Sequence, residues 1–312
     1  HGHHRAMTQA AHEVMSAAAD PAFPSNLPPW QVSKLYLPAW SGAGQAYDDD
    51  LPPPPATLTV DGAGKDPMTG WSYARIGQMS RGYHRTQGMG RWVPAGPGND
   101  WPLHLAESHV SGPDDALKSG LPNTLADLSE HAPEAKEHLL AAHGFITETV
   151  SAFPHFTHMA ATAQNALTHV HKAQENCPDH VAHRLEAKAT QLSHVLRLAL
   201  GVDASARTDA IWLRPGDATQ LVLECDTGDA PEAEIELDLP VGWSASDGTL
   251  TTTPEAFQTD PYRTEYDPAD PPAPRLTIKL GSAHVAVPFD QPPVVLPPRA
   301  ALIAPDAALI NL

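Results

Sequence analysis

Residues 178–201 read "PDHVAHRLEAKATQLSHVLRLALG", and residues 210–228 read "AIWLRPGDATQLVLECDTG". The first stretch has a helical period, opens at Pro178 and closes at Gly201, a plausible C-cap. In the second the period drops to two, and Pro-Gly and Asp-Thr-Gly supply turn chemistry. The chain therefore changes from helix to strand around Gly201–Ser205, and the rest of the architecture is read outward from that change.

Upstream, the helical pattern reaches back to about residue 122. "NTLADLSEH", "APEAKEHLLAAHGFITETVSAF" and "PHFTHMAATAQNALTHVHKAQEN" precede the quoted segment, with Pro or Asn at their starts. The longer three predict an antiparallel helical bundle. Downstream, "EAEIELDLPVGWSAS" and "PRLTIKLGSAHVAVPF" continue the alternation, so a small β-sandwich is expected. "QPPVVLPPRAALIAPDAALINL" reads as a linker into a further domain.

The first third is organised differently. Ala6, Ala10, Ala11, Val14, Met15 and Ala18 recur at helical spacing, which predicts a helix over 4–19. "WQVSKLYLPAW" at 30–40 alternates and predicts a buried strand. Residues 41–70, with "DDDLPPPP" and "DGAGKDPMTG", read as a long loop of the kind that forms lids or binding loops. "GWSYARIGQMSRGYHRTQGMG" at 70–90 predicts a helix ending in glycines. Helix, strand, loop and helix in turn suggest the second half of an α/β unit with a mostly parallel sheet.

The chain has 312 residues with 19 Lys+Arg against 37 Asp+Glu, a formal net charge of -18. That balance argues against nucleic acid or an anionic membrane surface as the main partner. The 18 histidines reduce the negative charge below about pH 6.5. Cys177 and Cys225 fall in regions read as different, so no disulfide framework is indicated. No run approaches the roughly 18 apolar residues that span a bilayer. The first residue is His1 and the chain ends "APDAALINL", so both ends are expected to be cut from a longer protein.

"HGHHRA" at 1–6 leads directly into the first helix, unlike a purification tag followed by a linker. This stretch, with "PWQVSKLYLPA" and "MSRGYHRTQGMG", resembles the C-terminal half of a PIG-L/LmbE-type de-N-acetylase. The first resembles the family's second metal motif, Gly-His-x-x-His before a helix. The second resembles its next core strand, and the third its late helix with His84 and Gln87 as His-x-x-Gln. The resemblance implies a multidomain chain: 1–110 as the second half of a Rossmann-like deacetylase domain, a helical bundle at 111–203, a β-sandwich at 204–290 and a linker at 291–312. The last three resemble extensions of larger family members, a looser match.

The resemblance also implies a function. A zinc ion would activate water to hydrolyse the acetamide of an N-acetyl amino sugar or glycoconjugate. His4 falls at the metal-ligand position. His1 falls beside the open coordination position, where it would steady the oxyanion or protonate the leaving amine. His3 stands where the family often has Asp and would orient His4 from behind. His84, Arg85 and Gln87 would bind sugar hydroxyls. The family's early His-Pro-Asp-Asp motif, which supplies two ligands and the carboxylate base, is missing. A partner segment or chain carrying it is expected, and this chain alone should be inactive. The contrary reading is a non-catalytic carbohydrate-binding or scaffold protein with a degenerate half-domain.

Other histidines have plainer readings. His155/His158 and His180/His183 are spaced i,i+3, and His169/His171 lie close by, but no carboxylate or cysteine completes a ligand set. Solvated histidines on polar helix faces account for them. The "DDD" at 48–50 reads as a solvated loop and "CPDH" at 177–180 as a helix start. Trp212 and Trp243 are candidate stacking residues if the sandwich binds carbohydrate.

Overall fold

The computed structural model describes residues 2–25, 27–39, 53–84, 100–259 and 272–297, and of residues 2–5 and Thr8 the backbone alone. The described chain is mixed: helices together with several antiparallel sheets. It divides into two units, 1–123 and 124–312.

In the first unit, helix α1 (Gly2–Ala19) covers the predicted 4–19 segment and begins two residues earlier. Its Met15 is buried, and Trp30 N–H closes back on Ala18 C=O at 2.7 Å. Strand β1 (Lys34–Pro38) lies inside the predicted 30–40 strand. β2 (Leu58–Val60) falls within the stretch read as loop. Helix α2 (Tyr73–Arg81) follows, capped by the Ser72 hydroxyl, which accepts the Arg75 N–H. It is shorter than predicted: Gly82 is the C-cap, and its N–H turns back to Gln78 and Met79 C=O.

Strand β3 (Trp101–Ser108) sits between the other two, in the order β1-β3-β2. The parallel sheet expected for this region is therefore corrected, because both pairings of β3 are antiparallel. Val60 stands opposite Trp101, so the segment containing α2 returns the chain to the end of the sheet it left. A parallel ladder needs a crossover to the opposite end instead. The register between β1 and β3 shifts at Leu35/Tyr36, a β-bulge.

The second unit opens with a short helix α3 (Leu125–Leu128). Its Thr124 and Asp127 form a reciprocal capping box. Helices α4 (Lys136–Ser151), α5 (Phe156–Gln174) and α6 (Asp179–Ala199) follow the predicted bundle segments. α5 packs against both α4 and α6. Ala160, Ala163, Ala166, Leu167, Val170 and Ala173 make its buried stripe, at spacings of three and four. Alanines there let the neighbouring helices approach closely.

α6 ends as its sequence predicts. Gly201 has φ +69°, and its N–H bonds to Leu198 C=O at 3.1 Å. Val202 N–H reaches Arg197 C=O at 3.0 Å, completing a Schellman motif. Val202 is itself buried, so the turn delivers the chain into the core.

Strands then build two main sheets. One contains β4 (Asp203–Thr208), β6 (Ala218–Asp226), β8 (Trp243–Ser246) and β9 (Thr249–Thr252), in the order β4-β6-β9-β8. The other contains β7 (Glu234–Asp238), β10 (Arg275–Leu280) and β11 (Ala283–Pro288), in the order β11-β10-β7. Their alternation is visible in β10, where Leu276, Ile278 and Leu280 are buried. β5 (Trp212–Leu213) pairs in parallel with β12 (Val294–Val295), inside the stretch read as linker. α6 packs on β10 and β11, and β4 lies against the same two strands. Helices and sheets thus share one continuous core. The period change at Gly201 is a change of layer within this unit.

Candidate functional site

α1 carries the predicted metal motif at its start. His3 and His4 lie in its first turn, but their side chains are outside the described residues. His1 lies wholly outside them, as do Arg85 and Gln87. His84 is described. It is exposed, two residues beyond the α2 cap, and its N–H bonds to Arg81 C=O at 3.0 Å. Of the predicted site residues, the structure thus gives a side-chain environment for His84 alone.

Two polar clusters in this unit were missed by sequence reasoning. The first involves α1 and β3. Glu107 Oε1 lies 2.9 Å from His109 Nε2, and its Oε2 lies 3.5 Å from His12 Nδ1. The imidazole of His109, followed by that of His12, holds the Glu107 carboxyl below its ordinary range. The carboxylate therefore stays charged at neutral pH and fastens α1 to β3. The alternation of "WPLHLAES" was the available signal for β3, but nothing in the sequence pairs His12 with a residue 95 positions later.

The second cluster is more enclosed. Lys34 and Tyr36 are i,i+2 on β1 and so share a face. Lys34 Nζ lies 2.9 Å from Asp114 Oδ1, and the Tyr36 hydroxyl donates to the same oxygen. The Lys34 side chain is 6% exposed and that of Asp114 17%. Each group is shifted away from neutrality. The Tyr36 hydroxyl, then the Lys34 ammonium, lowers Asp114. The Asp114 hydrogen bond raises Lys34 against the effect of burial. Burial, then Asp114, raises Tyr36. The shared Asp114 oxygen thus ties Lys34 and Tyr36 of β1 together as a clamp.

Among the described residues, no group of three or more His, Cys, Asp or Glu is gathered to hold a metal ion. Imidazoles suit zinc in kind. His1, His3 and His4 fall within four residues of sequence. No described helix is long and apolar enough to cross a membrane.

In the second unit, Trp243 is 9% exposed and belongs to the core, so it is not available as a stacking platform. Trp212 on β5 is 65% exposed. Cys177 and Cys225 are both free thiols. No family model, curated protein or solved structure matches the chain.

Proposed function

We propose that the chain supplies the C-terminal half of a metal-dependent N-deacetylase site acting on an N-acetyl amino sugar or glycoconjugate. The supporting observation is the placement of "HGHHRA": His3 and His4 occupy the first turn of an 18-residue helix, and the "KLYLP" strand follows it. That is the order in which the resembled motif presents its ligands. When bound, zinc supplies an activated water and a Lewis acid. His4 would hold it through a neutral imidazole, and His3 would fix the orientation of His4. His1 would protonate the departing amine or steady the oxyanion. His84, Arg85 and Gln87 would hold substrate hydroxyls. A segment or chain carrying His-Pro-Asp-Asp completes the ligands and supplies the carboxylate base.

The test is reconstitution with that N-terminal half. Metal content and amine release from an N-acetylglucosamine conjugate are then measured. His4→Ala should lose zinc. His1→Ala should keep zinc and lose roughly 10²–10³-fold in turnover, the scale of removing one oxyanion donor. Normal metal content and turnover in His4→Ala would sink the reading.

A second reading, a non-catalytic carbohydrate-binding or scaffold protein, is favoured by one observation, the exposure of Trp212. Aromatic rings exposed on a sheet can stack on sugars. That reading expects sugar binding that Trp212→Ala abolishes and no amine release from the reconstituted protein.

A further inference from the structure

His138 on α4 and His169 on α5 are 31 positions apart, and their Nδ1 atoms meet at 3.2 Å. The ring centroids are 5.4 Å apart and the planes are tilted by 47°. Phe145 stacks on His169 at 5.6 Å with planes 23° apart, which steadies that ring. Both histidines are partly buried. A tetrahedral zinc ion with Zn–N bonds of 2.0–2.1 Å places two nitrogen ligands about 3.3 Å apart. The observed separation of the two Nδ1 atoms matches that of two ligands on one ion.

We infer that His138 and His169 form a two-imidazole site for a divalent transition ion such as zinc, nickel or copper, which clamps α4 to α5. Imidazole suits these ions, whereas calcium and magnesium take oxygen ligands. Without an ion the two rings share one proton along the Nδ1···Nδ1 line. To take the ion, both rings carry their proton on Nε2, so the shared proton moves within a neutral ring and none is lost. The lone pairs then converge on a point off that line, which ring rotations of roughly 35° achieve for tetrahedral geometry. A ligand imidazole must be neutral, so binding is expected to weaken as the pH is lowered. Two protein ligands leave positions open to water, so the site is expected to be modest in affinity and accessible to exchange.

The test uses the whole chain at pH 7.5 with zinc or nickel chloride, read by calorimetry and by the rise in melting temperature. His138→Gln and His169→Gln should each weaken the strongest binding event at least 10–100-fold, the range seen when even a supporting partner of a metal ligand is lost. The comparison is made in a His1→Ala/His3→Ala/His4→Ala background, which removes any binding at the proposed deacetylase motif and so separates the two sites. Equal affinity in that background and in both glutamine variants of it would overturn the inference. If a variant does not fold, carbethoxylation of wild-type histidines, mapped by peptide mass spectrometry, decides instead. Zinc should slow modification of His138 and His169 together. Unchanged rates at both would overturn the site.

Discussion

Asp114 takes two donors on one oxygen, and its neighbour Lys34 is an almost fully covered ammonium. Removing the carboxylate leaves that ammonium without its counter-charge, which costs more than replacing the pair with apolar groups. Asp114→Asn should therefore lower the melting temperature by several degrees, and the double variant Lys34→Met/Asp114→Leu should recover part of the loss. An additive or worse double variant would count against a clamp role. The carboxyl is lowered from its ordinary value, so this contribution is present above about pH 4 and is lost as pH falls through the lowered value. His169 has the opposite chemistry but the same sign of slope. Its folded form binds a proton less readily than the unfolded chain, so stability falls as pH drops below about 6.5. Melting at pH 7.5 and 5.5 should differ by a few degrees more in wild type than in His169→Gln. An identical difference would refute the assignment. None of these partnerships was legible in the sequence. Lys34 and Asp114 are separated by 80 residues, and no local period records a contact closed by a sheet.

Elements were more legible than contacts, because caps and periods are local. Ser72 before α2, Thr124 before α3 and Gly201 after α6 work through groups within a few positions of themselves. The parallel sheet was misread because strand period does not encode strand direction. Direction is set by where the connections return. β3 was missed although it alternates, since it follows a segment read as a helix with a glycine-rich tail. The α6 junction also holds a constraint that sequence does not display. Gly228, at φ +51°, packs so closely that a Cβ would meet Leu200 O at 2.2 Å. Asp229 N–H beside it bonds to Leu200 C=O at 2.8 Å. Gly228→Ala should cost about 1–2 kcal/mol from backbone conformation alone, and more from the clash with the α6 terminus. Urea unfolding measures this, and an unchanged midpoint would show that the close approach is absent. Gly216→Ala is a useful comparison: its φ is +89° but nothing lies near its Cβ, so only the conformational part should appear.

Within residues 124–312 the helices and sheets bury their apolar faces against one another. Val202, Ala204 and Ala206 belong to the same core as Leu185 and Leu196. The period change suggested a β-sandwich beginning at about residue 204, distinct from the helical bundle. The shared core leads to the opposite expectation. A 206–312 fragment should give a broad, non-cooperative melt, while 124–312 should unfold in one transition. A sharp independent melt of the fragment would restore the boundary. The first unit adds a constraint of timing. Its middle strand, β3, is the last of the three to be synthesised, and among the described residues β1 and β2 each pair with it alone. A ribosome delivering this chain releases two strands whose described ladder forms once Trp101–Ser108 emerges. Until then the nascent segment offers open strand edges, the surfaces through which unfinished chains stick to one another. Chaperone dependence should therefore be greatest for nascent chains stalled before residue 101.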